Sequence, residues 1–233
     1  MSTCNTITTY SNDAGSNKVF VVGLPRTGTT SFCAAMLEMG FSVAHTAYTK
    51  SAFQQAQVIA DTPIFCDFQH LSFSYPNAKF VYLNRALEKW LPSIKQLLNR
   101  MYSNVVREDG GFNPHIKRCY QSVFSPFTLE NINNDEFLSR CYLAHKHLII
   151  EHFSSARQPS INSAKENNAH RLLELNISDS DAISRLQEFL SIPPSEVRFS
   201  HLNIGGKVTA WKDIKHPLKV ESTNNGRIDK SIY

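Results

Sequence analysis

The chain has 233 residues, 42% of them apolar, which suits one medium-sized domain with a real core and would be cramped for two. Its 24 basic and 20 acidic residues leave a formal charge of +4, a mild bias toward anionic ligands that excludes the dense basic footprint of a nucleic-acid binder. Five scattered cysteines (Cys4, Cys33, Cys66, Cys119, Cys141) never form CxxC, and no stretch reaches the roughly 18 apolar residues of a membrane span, so the composition reads as a soluble cytoplasmic protein with reduced thiols.

Residues 1–17 are rich in Ser, Thr and Asn with little to bury, and read as a loose leader without a signal peptide. A strand is predicted over 18–22 and a helix over about 29–39. A short strand follows around 41–45, then a polar helical stretch toward residue 59. Residues 61–78 read as a short strand leading into a helix stopped at Tyr75-Pro76, and KFVYLN (79–84) as a strand covered on both faces. A helix over 86–102 carries Pro92 in its second turn, where a bend is tolerated. Residues 104–133 predict loops and short helices of the kind that shape an acceptor pocket. A long helix follows from about Asn134 to Ala156, with Phe137, Cys141, Ala144, Leu148 and Ile149 near one face. A strand over 170–177 and a helix over 179–192 complete the pattern. Alternating strands and helices predict a three-layer α/β fold, with a mostly parallel central sheet flanked by helices. One domain over 18–216 is expected, with 217–233 as a C-terminal tail.

The first strand runs into GLPRTGTTS (23–31), and the spacing of Gly23 and Gly28 matches the phosphate loop GxxxxGK[ST]. Thr29 stands where the loop's lysine belongs, so the cation must come from Arg26. A magnesium site would need an acidic residue at the end of a neighbouring strand, yet KFVYLN ends in Asn84-Arg85. Both departures point to a phosphate-bearing donor handled by protein cations, with no metal expected. His145, His147, Glu151 and His152 cluster on the long helix, but without HExxH or a fitting third ligand they read as packed or solvated side chains.

The order GLPRTGTTS, YPNAKFVYLNRALEKWLPS, HRLLELNI and FSHLN resembles the sulfotransferases that use 3′-phosphoadenosine 5′-phosphosulfate, particularly small bacterial-type members. The resemblance runs from about Lys18 to Asn203 and implies a P-loop-type fold. Pro25, Arg26, Thr27, Gly28, Thr29, Thr30 and Ser31 are similar to that family's phosphosulfate loop, with arginine for lysine. Arg85 and Ser93, eight positions apart, match its 3′-phosphate pair. Sulfuryl transfer to a hydroxyl or amine is thereby implied, with 3′-phosphoadenosine 5′-phosphate as the second product.

The acceptor, a small molecule, lipid or sugar, must lose a proton to a general base. The resemblance implies a base upstream of the 3′-phosphate arginine, a position near both Asp61 and Asp67; Asp61 is the preferred candidate, with Asp67, His45 and His70 as alternatives. Two departures from the larger members stand out: Ser31 replaces the tryptophan that packs on adenine, and the C-terminal glycine-rich motif is reduced to Gly205-Gly206-Lys207. Lys207 is a candidate donor contact. The rival readings are a divergent P-loop kinase acting on a nucleotide or small molecule, and a noncatalytic nucleotide-binding relative.

Overall fold

The computed structural model describes residues 18–154, 168–199 and 211–233. Among these, five parallel strands form one sheet: β1 (Val19–Val21), β2 (Val43–Ala44), β3 (Val58–Ala60), β4 (Lys79–Leu83) and β5 (Leu172–Leu175). Their order is β2-β3-β1-β4-β5. Register places Phe20 beside both Ile59 and Phe80, and Val81 beside Leu173. Because β1 lies between two partners and helices cover both faces, its residues are buried without alternation, which explains the unbroken apolar runs.

Side-chain parity divides the core. Phe20, Val22, Ile59, Phe80 and Tyr82 face α2 (Lys50–Gln55), α3 (Ile64–Ser74) and α7 (Asp135–Ser154). Val19, Val21, Val58, Val81 and Leu83 face α1 (Thr29–Glu38) and α8 (Ala182–Leu190). The result is the expected three-layer α/β fold. A third apolar cluster joins α4 (Leu87–Val106), α5 (Pro114–Val123), α6 (Leu129–Asn133) and α7 around Trp90, Ile94, Leu98, Tyr120 and Tyr142. Leu24 and Phe65 tie this helical annex to the sheet. The short helices have strong starts: Asn113 accepts from the Ile116 amide ahead of Pro114, and Thr128 accepts from the Asn131 amide.

Three expectations need correction. The polar helix ends at Gln55, and the strand placed inside 61–78 lies before it, at Val58–Ala60. Three apolar residues are too short a run to declare a strand, but pairing with β1 and β2 satisfies their backbone from both sides. Of the residues expected on the inner face of α7, Phe137 and Ile149 are buried, but Leu148 is 50% exposed and the rest of the buried stripe is Leu138, Tyr142, His145 and Phe153. α4 also runs four residues past its predicted end, with Met101 and Val105 extending its apolar stripe.

Residues 217–233 lie along the outer edge of the sheet. Val43 donates to Leu218 O at 3.0 Å, and Val220 donates to Val43 O at 2.8 Å. The Asp229 carboxylate accepts from the Lys50 amide at the start of α2, and Ile232 is buried among the α2 and α3 side chains.

Candidate active site

In this strand order the chain leaves β1 toward β2 and β3, but leaves β4 toward β5. The carboxyl ends of β1 and β4 therefore flank the crevice where open α/β sheets bind ligands. The Gly23–Gly28 loop and Asn84-Arg85 both enter it. Gly23 sits so close to β4 that a Cβ would lie 2.6 Å from Leu83 O, and Gly28 has φ +106° with Ile177 Cδ1 2.4 Å from where a Cβ would stand. Only glycine meets both demands.

Within the loop, Thr27 Oγ1 donates to Leu24 O at 2.7 Å and the buried Trp90 indole donates to Pro25 O at 3.0 Å. Those contacts hold Arg26 at φ 73°, a left-handed conformation that an arginine adopts only when its surroundings impose it. α1 then starts at Thr29 with no side-chain cap, and Phe32 N donates the loop's bond to Gly28 O at 3.0 Å. The amides of Gly28, Thr29, Thr30 and Ser31 precede that bond and have no intrahelical acceptor, the arrangement that binds anions at helix starts.

Arg26 and Arg85 meet at this loop, and the charge of Arg100 on α4 acts on Arg26. Arg26 Nε donates to Ser93 Oγ at 2.8 Å, and Arg85 Nη1 donates to Arg26 O at 2.7 Å. Arg85 is anchored by Tyr142, whose hydroxyl accepts from the Arg85 amide at 2.9 Å and donates to its carbonyl at 3.0 Å. Burial, followed by the charges of Arg100 and Arg85, holds the Arg26 guanidinium below its ordinary value, and burial does the same to Arg85. None of the ion pairs among the described residues involves Arg26, Arg85 or Arg100. Mutually repelling cations beside unsatisfied amides are relieved by a multivalent anion, so the residues present fit a phosphate-bearing ligand.

On the other side of the loop, Thr29 Oγ1 and Thr30 Oγ1 each lie 3.1 Å from His45 Nε2. His45 follows β2 directly, is 9% exposed, stacks on Trp211 at 5.5 Å between ring centroids, and is kept below the usual histidine range by burial. Asp61 follows β3 directly, with Oδ2 3.8 Å from His45 Nε2. Its Oδ1 accepts from Thr62 N at 2.7 Å and from Thr62 Oγ1 at 3.2 Å. Asp61 is the second strained residue of the site, at φ 65°. Two non-glycine residues in left-handed backbone thus face one crevice.

The other sequence candidates lie apart from this group. Asp67 is held by Arg118 through two bonds of 2.7 and 2.6 Å and by the Tyr233 hydroxyl at 2.6 Å. His70 is exposed, against the Tyr233 ring and Ser74. Ser31 is buried in the first turn of α1, and Lys207 lies outside the described residues. Of the histidines on α7, His145 Nε2 donates to Phe65 O at 2.8 Å as a packed side chain, while His147 pairs with Glu151 on the surface. Reading the sequence alone missed Arg100 and Tyr142. Arg100 lies two helical turns beyond Ser93, on the same face of α4, a spacing that could have flagged it; Tyr142 carried no such signal.

Fold and crevice together define an α/β protein of P-loop type in which the free amides at the start of α1 and two arginines meet at the β1–β4 switch point. The sequence profile described as a sulfotransferase domain matches residues 18–50 and 46–208, and the chain belongs to that family. No curated protein matches the chain.

Proposed function

We propose that the chain transfers a sulfuryl group from 3′-phosphoadenosine 5′-phosphosulfate to a hydroxyl or amine of a small-molecule, lipid or sugar acceptor. The observation that carries this reading is the linkage Arg85–Arg26–Ser93, which joins the strand-end arginine and its serine to the lysine-less loop. When bound, the donor supplies an activated sulfuryl group whose departure leaves negative charge on a phosphate oxygen. Arg26 and the amides of Gly28, Thr29 and Thr30 stabilise that charge, and being already oriented they need no rearrangement to do so. Arg85 and Ser93 hold the 3′-phosphate, the Ser93 hydroxyl keeping its proton to donate while accepting from Arg26. Thr29 and Thr30 connect the loop to His45, whose neutral ring faces Asp61. Asp61 Oδ2 takes the acceptor's proton, with Oδ1 fixed by Thr62 so that the second oxygen has one orientation. Trp211 covers His45 and keeps water from its outer face.

A thermal-shift comparison tests the reading, because a ligand that binds only the native chain raises its melting temperature. 3′-Phosphoadenosine 5′-phosphate without metal should stabilise the protein. A shift with ATP and magnesium alone, and none with the phosphoadenosine ligand, would assign the loop to triphosphate chemistry instead.

A further inference from the structure

Away from the crevice, α3 and α5 run past each other so that Cys66 meets Cys119 while the next residues, Asp67 and Arg118, form their bidentate ion pair. The two pairings occupy successive positions of one antiparallel register, so the ion pair fixes the approach of the thiols. Arg118 Nη1 lies 3.8 Å from Cys66 Sγ. Cys66 is half-buried and lines a cavity of about 450 Å³ with Phe65, Phe68, Cys141 and His145, whereas Cys119 is fully buried behind it. One thiol is reachable by a small molecule and the other only by the first, which is the division of labour of an attacking and a resolving cysteine.

We infer that Cys66 and Cys119 form a peroxide-oxidisable dithiol, a modification site that joins α3 to α5. The contact with Cys119 favours the thiolate of Cys66, while the same contact and burial hold Cys119 as a thiol. The Cys66 thiolate attacks a peroxide O–O bond: an S–O bond forms, the O–O bond breaks, and hydroxide leaves with the two electrons that sulfur loses. The Cys119 sulfur then attacks the sulfenic sulfur. The S–S bond forms, the S–O bond breaks, and the hydroxyl departs as water with the Cys119 proton. The bond would sit one residue from Tyr120, whose buried ring packs on Phe65 at the start of α3.

Cys141, on the same cavity, serves as an internal comparator, since burial raises its thiol. The reduced full-length chain should be exposed to stoichiometric hydrogen peroxide, alkylated, and mapped by mass spectrometry without reductant. The expected result is one cross-linked peptide pair containing Cys66 and Cys119, reversed by dithiothreitol, with Cys141 still fully alkylated. In Cys119→Ser, dimedone should label Cys66 as a sulfenic acid. Full alkylation of Cys66 and Cys119 after peroxide, or a cross-link from Cys66 to Cys141, would overturn the assignment. The wild-type mapping decides the matter even if the Cys119 variant does not fold.

Discussion

Arg85 donates from Nη1 to the carbonyl oxygen of Arg26 at 2.7 Å, so the end of β4 clamps the strained residue of the Gly23–Gly28 loop. One guanidinium thereby shapes the loop and adds charge to the site. Arg85→Ala should weaken binding of 3′-phosphoadenosine 5′-phosphate by on the order of 1.5–3 kcal/mol, the worth of a charge-assisted contact. Titration calorimetry measures this directly. Arg85→Lys should recover only part of the loss, because an ammonium lacks the planar fork that spans loop and ligand. Equal affinities for wild type and Arg85→Ala would remove Arg85 from the ligand site.

Gly28 carries two separate constraints, φ +106° and the nearness of Ile177 Cδ1. Gly28→Ala should lower stability by about 1–3 kcal/mol, a strained backbone position and a clash acting together. Ile177→Ala in the same chain should restore the steric part and leave the backbone part, since removing the isoleucine does nothing for φ. Chemical denaturation of the single and double variants separates the two. Full recovery in the double variant would show that the left-handed conformation costs nothing here.

The pH dependence of stability should carry the signature of buried neutral histidines. His145 is held down to about 4 by burial, against its bond to Phe65 O, and His45 is lowered for the same first reason. A depressed histidine binds fewer protons in the native than in the unfolded state between its native value and the ordinary value near 6.5. Its stabilisation is therefore complete above the unfolded value near 6.5 and is lost as pH falls toward 4. For His145 this amounts to about 3 kcal/mol, at 1.36 kcal/mol per unit of displacement. Urea midpoints between pH 7 and 4.5 should fall, and His145→Gln should flatten the slope while keeping a donor for Phe65 O. An unchanged slope in that variant would place the acid sensitivity elsewhere.

What was legible in the sequence follows from how locally each feature is determined. β1, β4 and the loop between β1 and α1 were readable because burial on both faces writes a continuous apolar run, and because Gly23 and Gly28 answer to backbone geometry. β3 was misplaced because Val58–Ala60 is strand only by virtue of its neighbours β1 and β2. The stripe of α7 was misjudged because His145 and Tyr142 are buried by partners on other elements, Phe65 O and Arg85, which hydropathy does not record. Among the proton-accepting candidates, sequence position brought in Asp61, Asp67, His45 and His70 together. Tertiary pairing separates them: the first turn of α3 hands Asp67 to Arg118, while the ends of β2 and β3 set His45 and Asp61 side by side.

That separation yields the sharpest kinetic prediction. Asp61→Asn keeps the shape of the side chain and its acceptor oxygen for Thr62, but removes the basic oxygen that faces His45. Formation of 3′-phosphoadenosine 5′-phosphate with the acceptor that wild type uses best should slow by about 10²–10⁴-fold, the range of a lost general base. Affinity for the desulfated product, which makes no demand on a base, should hold. Asp67→Asn serves as the control. It loosens an ion pair with a half-exposed Arg118 and should cost about 1 kcal/mol of stability while sparing the rate. His45→Gln distinguishes the remaining alternative, since it preserves a hydrogen-bonding partner for Thr29 and Thr30 without a basic nitrogen. A modest effect of His45→Gln beside a large effect of Asp61→Asn assigns the proton to the carboxylate. The reverse order assigns it to the imidazole, with Asp61 as the group that stabilises the charged ring. Loss of rate in Asp67→Asn alone would displace both, because that carboxylate reaches neither Thr29 nor Thr30 through any bond among the described residues.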